Sequence, residues 1–480
     1  MSLKLFNTLG RELQEFETIK DGQVGLYSCG PTVYWYQHIG NLRSYIFADL
    51  LKRVLKFNGY KITHVMNVTD VGHLTSDADV GEDKIEEAAK KEGKSAAEIA
   101  EHYLSVFKKD LVKLNILSPS IWCKATEHIN EQIELIRLLE ENGFTYKTSD
   151  GIYFDSSKLD DYGKLFVQAP TLKDGIKKGL KKGLKDGLGG LEAGKRVSMG
   201  EKKNKTDFAL WKFSEEPGKR QQEWDSPWGI GFPGWHIECS AMSSKYLGHQ
   251  FEIHTGGEDH ISVHHTNEIA QSEAAFGKKP WVKYWLHGAF LTFKGEKVSK
   301  SKGGLYTIAE LEEQGYIPLD FRYLCLLTHY RKQLDFSLKT LDAAKNAHER
   351  LKNKIIELKK EENSKGSSEK YEDGFEKAVN DDLNIPKAVG IMWDLLKDEK
   401  IGSKEKLELA FKFDEILGLG LKDVEEEVVD VSKEVEKLIQ KREDARVAKD
   451  FEAADKIRDD LKKKGIILED TSEGVKWKKT

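Results

Sequence analysis

Apolar and polar positions are patterned most legibly between residues 24 and 67. Residues 24–28 form a short apolar run that reads as a strand, and Cys29, Gly30 and Pro31 end it. From Arg43 onward, apolar residues fall at Ile46, Leu50, Leu51, Val54 and Leu55, the spacing of one helical face. Residues 61–67 (KITHVMN) read as a second strand. Strand, helix and strand in this order predict a right-handed parallel unit, the first half of an α/β nucleotide-binding sheet.

Residues 84–116 continue at helical spacing. From 117 to 234 the character changes to aromatics, turns and short strand-like pieces (GIYFD, DFALWKF), which predicts an insertion between two halves of the sheet. Within it, a lysine-rich run over 173–195 carries glycine at Gly175, Gly179, Gly183 and Gly187. Poor helix propensity and little apolar surface predict a surface loop there. Strand character returns at 251–254 and 285–293, and helical periodicity dominates beyond 307. Polar runs at 360–374 and 424–430 read as flexible joints, the second leading into a charged terminal module at 433–480.

Composition narrows the class. A chain of 480 residues has room for roughly two to four domains. Its beginning has neither signal-peptide nor presequence character, and no apolar run is long enough to span a bilayer. The four cysteines, Cys29, Cys123, Cys239 and Cys325, are far apart and suggest no disulfide framework, so a cytosolic, reduced protein is expected. Cys123 and Cys325 are expected to be buried structural thiols. A formal charge of −5 excludes an overall basic nucleic-acid binder but not a local basic patch.

The candidate chemistry lies at the breaks in the pattern. His38-Ile39-Gly40-Asn41 sits where the first strand hands over to the helix, and helix amino termini there offer free N–H groups and partial positive charge to phosphates. Gly40 permits close approach, and His38 and Asn41 supply donors. Four such residues alone equally fit an ordinary turn. A second element, GEKVSKSKGG at 295–304, places Lys297 and Lys300 three apart between glycines, where they can grip phosphates from one side. Cys29, Cys239, His264 and Glu268 offer two thiols, an imidazole and a carboxylate, a donor set suited to Zn²⁺. His264 and Glu268 share a helical face, but spacing alone leaves His260 and His265 as alternatives to His264.

The His-Ile-Gly-Asn stretch resembles the His-Ile-Gly-His signature of class I aminoacyl-tRNA synthetases, and KVSKS resembles their Lys-Met-Ser-Lys-Ser loop. Together with YSCGPTV, GWHIECSAM, HTGGED, HHTNEIAQS and the tail EKLIQKREDARVAKDFEAADKIRDDLKKKGIILED, the chain resembles the cysteinyl-tRNA synthetase family from about residue 6 to 477, apart from the glycine-lysine run. The resemblance implies a split Rossmann-like α/β catalytic domain at 1–116 and 235–295, with a connective insertion at 117–234. It further implies a lysine-loop and stem-contact segment at 296–330, a helical bundle at 331–425 and a small anticodon-binding module at 426–480. It implies one zinc per subunit on Cys29, Cys239, His264 and Glu268. Thr69 and Trp235 would line the cysteine pocket, above His236, His254 and His265. Gly40, Gly256, Gly257 and Asp259 would serve ATP, which enters with Mg²⁺, and His38, Asn41, Lys297 and Lys300 would stabilise the transferring phosphate.

The implied reaction is ATP-dependent formation of cysteinyl-adenylate, then transfer to the 3′ end of tRNA(Cys) by a monomeric cytoplasmic enzyme. Asn41 departs from the signature: an amide cannot become cationic as imidazole can, so one phosphate contact is expected to weaken while activity survives. Two rivals remain at this level. A cysteine-activating ligase of mycothiol type would lack the long region at 310–480. A zinc-containing RNA-binding protein without catalysis would not need His38, Gly40, Lys297 and Lys300.

Overall fold

A computed structural model describes residues 2–72, 84–167, 201–293, 296–297, 306–361, 363–425, 433–463, 465–471 and 474–479. The lysine-rich run at 173–195 and Lys300 lie outside these residues, as does the side chain of Lys297. The chain forms two compact units, residues 1–422 and 423–480.

The first unit is built on β1 (Gln23–Ser28), α1 (Ile39–Phe57), β2 (Lys61–Val68), α2 (Ala96–Lys113), β3 (Ile121–Lys124), α3 (Trp235–Leu247), β4 (Phe251–Gly257), α4 (His264–Phe276) and β5 (Val282–Gly288). The five strands are all parallel, in the order β5-β4-β1-β2-β3. The chain winds outward from β1 to β3, then returns to β1's other side for β4 and β5. The strand order therefore reverses between β1 and β4, and ligands bind in the crevice at the carboxyl ends of such strands.

Three expectations need correction. β3 was expected inside the insertion, yet it pairs with β2 (Val65 opposite Ile121) and belongs to the main sheet. Its four residues, IWCK, show no apolar–polar alternation that would mark them as a strand. The strand expected at 285–293 is two strands. Leu291–Phe293 lies in a separate three-stranded sheet, antiparallel to Glu296–Lys297 and parallel to Leu334–Phe336. Arg43 enforces the break by donating to the carbonyls of Ala289 and Phe290, both at 2.6 Å. The polar run at 360–374 is not a free joint, because Gly402 N–H donates to Lys365 O at 2.8 Å and Ser403 N–H to Asn363 Oδ1 at 2.9 Å. Polar composition there serves hydrogen bonding within the first unit.

The insertion forms a four-stranded antiparallel sheet from Thr145–Lys147, Gly151–Phe154, Phe208–Phe213 and Gly231–Pro233. After the main sheet come helices Pro318–Leu326, Leu338–Lys359, Glu369–Val379, Ile385–Lys397 and Ser403–Leu417. A buried ionic cluster ties α1 to this helical region. Arg322, fully buried, donates to Asp49 Oδ2 at 2.6 Å, Leu417 O at 2.7 Å and Leu114 O at 2.9 Å. Arg53 donates to the same Asp49 oxygen at 2.8 Å and to Glu415 O at 2.8 Å. Asp49 Oδ1 accepts the Leu117 N–H at 2.8 Å. Charge buried without water is tolerated because every group in the cluster is hydrogen-bonded.

In the second unit, helices Lys433–Val447 and Phe451–Lys463 accompany an antiparallel hairpin, Ile466–Thr471 with Gly474–Lys479. Leu461 and Ile466 are its buried centre, with Leu438, Ile439, Ile457, Leu468 and Trp477 around them. Among the described residues no helix is long and apolar enough to cross a membrane.

Candidate active site

α1 begins at Ile39, four residues before its apolar spacing becomes evident, so His-Ile-Gly-Asn is the cap and first turn of the helix itself. His38 is the N-cap, and its Nδ1 accepts the Asn41 N–H at 3.4 Å. That role requires a bare Nδ1, which leaves the ring proton on Nε2 as a donor. The first turn contains no acidic residue, so the positive end of the helix dipole is not neutralised from within.

The metal-type donors converge at the carboxyl end of β1. Cys29 follows that strand, Cys239 lies on α3, and His264 and Glu268 lie one turn apart on α4. Their ligand atoms all fall within 4.8 Å of one another. A second grouping, Cys29, His254, His265 and Glu268, meets the same limit, so of the two alternatives to His264 left open by spacing, His265 is a real neighbour, whereas His260 belongs to neither grouping. His264 Nε2 stands 3.6 Å from Cys239 Sγ and 3.0 Å from Glu268 Oε1. The other carboxylate oxygen faces His254 Nε2 at 2.9 Å. His265 Nε2 reaches Cys29 Sγ at 3.2 Å, while its Nδ1 meets His287 Nε2 at 2.7 Å and His287 Nδ1 meets Thr8 Oγ1 at 2.7 Å.

The electrostatics of this cluster favour a cation. Burial alone would raise the Glu268 carboxyl, but His254 and His264 outweigh it and hold it at about 2. Burial likewise disfavours charge on His264, yet Glu268 and Cys239 raise it to about 10. Burial and the neighbouring Cys239 push the Cys29 thiol up, and the hydrogen bond with Cys29 holds Cys239 below its ordinary value. Desolvation and the surrounding imidazoles keep His265 well below its usual range, hence neutral. Glu268 Oε1 is buried and makes no hydrogen bond of good geometry. Two thiols, an imidazole and a buried carboxylate oxygen without a well-formed hydrogen bond fit a zinc ion.

Sequence reasoning missed several groups that shape the site. Glu238, fully buried on α3, accepts from Thr69 Oγ1 at 2.9 Å, and Asn67 Nδ2 donates to the same hydroxyl at 3.1 Å. His287 and Thr8 were missed too, since a contact between residues 279 positions apart leaves no trace in local spacing. Glu238 was the one legible case, as it stands inside the quoted GWHIEC motif. Trp235 stacks on the His264 ring at 4.5 Å, and His236 Nδ1 faces His264 Nδ1 at 2.9 Å. Among the glycines that leave no room for a side chain, two border the donor cluster. A Cβ on Gly256 would come within 2.6 Å of His265, and one on Gly30 within 1.7 Å of the Asn67 carbonyl oxygen. The second obstacle is backbone and cannot step aside. Gly30→Ala is therefore expected to lower stability by at least ~3 kcal/mol, read as a drop in the urea midpoint.

One cleft joins these parts. Cys29, Thr69, Cys239 and His264 line it together with Trp235, His38, Gly40, Asn41, Gly256, Gly257 and Asp259. His236, His254, His265 and Glu268 are buried and form the layer beneath. Of the sequence-derived site residues, only Lys297 and Lys300 are not placed by their side chains; the Lys297 backbone pairs with Thr292.

Comparison with known proteins decides the family. Residues 15–346 match the family described as tRNA synthetases class I (C) catalytic domain, and residues 429–477 match the cysteinyl-tRNA ligase anticodon binding domain. The chain belongs to the cysteine–tRNA ligase family. Cysteine–tRNA ligase 1 of Burkholderia lata is 48% identical over 475 residues, covering 99% of this chain and 96% of that protein. Cysteine–tRNA ligase of Treponema denticola is 45% identical over 511 residues, with both chains covered completely. Among solved structures, Mycobacterium tuberculosis methionyl-tRNA synthetase in complex with methionyl-adenylate superposes with a TM-score of 0.58 at 14% identity, covering 83% of this chain and 90% of that one. That likeness supports the class I fold alone. The match to an anticodon binding domain within the second unit disfavours the small-molecule ligase, and the catalytic-domain match disfavours a non-catalytic binding protein.

Proposed function

We propose that the chain activates cysteine with ATP and transfers it to the 3′ end of tRNA(Cys), with the residues around the β1–β4 reversal as its active site. The observation that carries this reading is the convergence of two thiols and an imidazole on the wall of the cleft that holds the His38-capped helix terminus, with the Glu268 carboxylate buried directly behind them. Of the two possible donor sets, the one with Cys29, Cys239, His264 and Glu268 supplies both thiols. His265 then remains as a hydrogen-bond partner of the Cys29 sulfur, and the His287–Thr8 chain behind it fixes its orientation. Zinc held there would take the cysteine side chain as a thiolate, which serine cannot match.

The chain's own residues account for the rest of the chemistry. The cysteine carboxylate attacks the α-phosphorus of ATP; a carbon-bound oxygen joins phosphorus as the bond to pyrophosphate breaks. Negative charge grows on the phosphate oxygens and the leaving group. His38 Nε2–H and the positive amino-terminal end of the α1 dipole stabilise it by fixed electrostatics. Lys297 and Lys300 join them by their position in the KVSKS motif, and Mg²⁺ accompanies the nucleotide. Gly256 and Gly257 leave room for an adenine face, and Asp259 accepts from ribose hydroxyls. In the second step a hydroxyl of the terminal tRNA ribose attacks the cysteinyl carbonyl and AMP leaves.

The second unit supplies tRNA recognition, so a chain ending at residue 422 separates the two steps. It is expected to retain cysteine-dependent ATP–pyrophosphate exchange while aminoacylation of tRNA falls by more than ~10²-fold. Equal loss of both activities would contradict this division of labour, and undiminished aminoacylation would remove the second unit from the reaction.

A further inference from the structure

The loop between Pro31 and His38 carries two large aromatics that the adenylation chemistry does not use. Trp35 and Tyr36 are 39% and 41% exposed, unusual for such side chains in an otherwise well-packed unit. They are held in place as well as exposed. The two rings meet edge to face at 5.7 Å, and Tyr36 sits against Tyr103 of α2 at 5.0 Å, nearly perpendicular. Trp35 lies over the same Tyr103 at 5.9 Å. Tyr103 is buried, and its hydroxyl is fixed by Glu92 Oε1 at 2.7 Å, so the base of the cluster is rigid. Lysines border it: Lys91 Nζ lies 5.7 Å from the Trp35 ring and Lys84 Nζ 5.5 Å from the Tyr34 ring.

Rigid, part-exposed aromatic faces beside lysines are the chemistry that holds unpaired nucleobases, by stacking on the ring and by attraction of the flanking phosphates. The position selects among possible bases. Trp35 and Tyr36 line the same cleft as His38 and Asp259. They rest, however, on α2, which packs toward the β3 edge through Phe107 against Trp122 at 6.2 Å. The segment assigned to the ATP adenosine, Gly256–Asp259, stands at the end of β4, on the opposite side of β1 in the sheet order. Since the second step requires a single-stranded ribonucleotide end to enter this cleft, an entering base meets the aromatic pair from the side that ATP leaves open.

We propose that Trp35 and Tyr36 form a stacking platform for the single-stranded 3′ end of the tRNA, a binding site for the transfer step separate from the adenylation site. This rests on the aminoacylation reading above. The test compares the Trp35→Ala/Tyr36→Ala double variant with Trp35→Phe/Tyr36→Phe and the unaltered protein, using tRNA(Cys) with and without its terminal adenosine. The alanine variant is expected to retain cysteine-dependent ATP–pyrophosphate exchange and its KM for ATP. Its kcat/KM for tRNA in aminoacylation should fall about 5- to 100-fold, with the phenylalanine variant restoring most of it. It should also bind intact tRNA no better than the shortened form, whereas the unaltered protein prefers the intact one. A rise in KM for ATP would assign the platform to the nucleotide and overturn the proposal. Unchanged aminoacylation, or a phenylalanine variant as defective as alanine, would overturn it too. Absence of exchange in the unaltered protein would instead overturn the aminoacylation reading itself.

Discussion

Replacing Cys239 with alanine is expected to abolish zinc retention and to reduce cysteine-dependent ATP–pyrophosphate exchange by more than ~10²-fold. The side chain is 2% exposed on α3, and its sulfur lies beside the imidazole that Glu268 and Cys239 jointly polarise. Removing it takes one of the two soft donors and leaves His264 and Glu268 facing each other at 3.0 Å without the second thiolate. Alanine fits the vacated space, so the protein should remain folded, with far-ultraviolet circular dichroism unchanged. Glu268→Gln is the matching isosteric variant. It keeps the volume and removes the charge that His254 and His264 hold in place, and zinc content and exchange should fall together. A variant that lost exchange with its zinc intact would place the role of these residues elsewhere.

Arg322→Met is expected to produce the largest loss of stability outside the site, ~3–5 kcal/mol in urea unfolding. Arg322 and Asp49 are both buried, and the guanidinium satisfies the carbonyls of Leu114 and Leu417 as well as the carboxylate. Methionine fills much of the volume but leaves Asp49 paired with Arg53 alone among the described residues and strands two carbonyl oxygens. Adding Asp49→Asn should recover part of the loss, because the uncompensated charge disappears with it. The same cluster anchors the middle of the helix whose first turn is His38–Asn41, so the variant should also weaken exchange by more than its unfolded fraction explains. Full exchange activity in the folded variant would show that α1 keeps its place without this anchor.

How much of this was legible in the sequence depended on whether the signal was local. β1, α1 and β2 follow from apolar spacing over residues 24–67, and the strand-to-helix handover marked the ligand end of the sheet. The four metal-type donors were found because they sit in recognisable stretches, but choosing among His260, His264 and His265 was beyond spacing. Adjacent residues on one helix point in directions that only the partner strand β4 distinguishes. The polar stretch at 360–374 misled because composition reports solubility, not whether Asn363 and Lys365 find partners at Gly402 and Ser403. Arg322 and Asp49 were invisible for a related reason. A buried ion pair looks, in sequence, like two surface charges 273 residues apart.

The most direct test of the central claim is ATP–pyrophosphate exchange by the purified protein with cysteine and serine in parallel, before and after treatment with a zinc chelator. A pocket relying on shape would separate these isosteres by ~10²-fold at most. The account predicts exchange with cysteine, a preference over serine well beyond that factor, and loss of the cysteine reaction when zinc is removed and its return when zinc is restored. Comparable exchange with serine, or a cysteine preference untouched by removal of the metal, would contradict it.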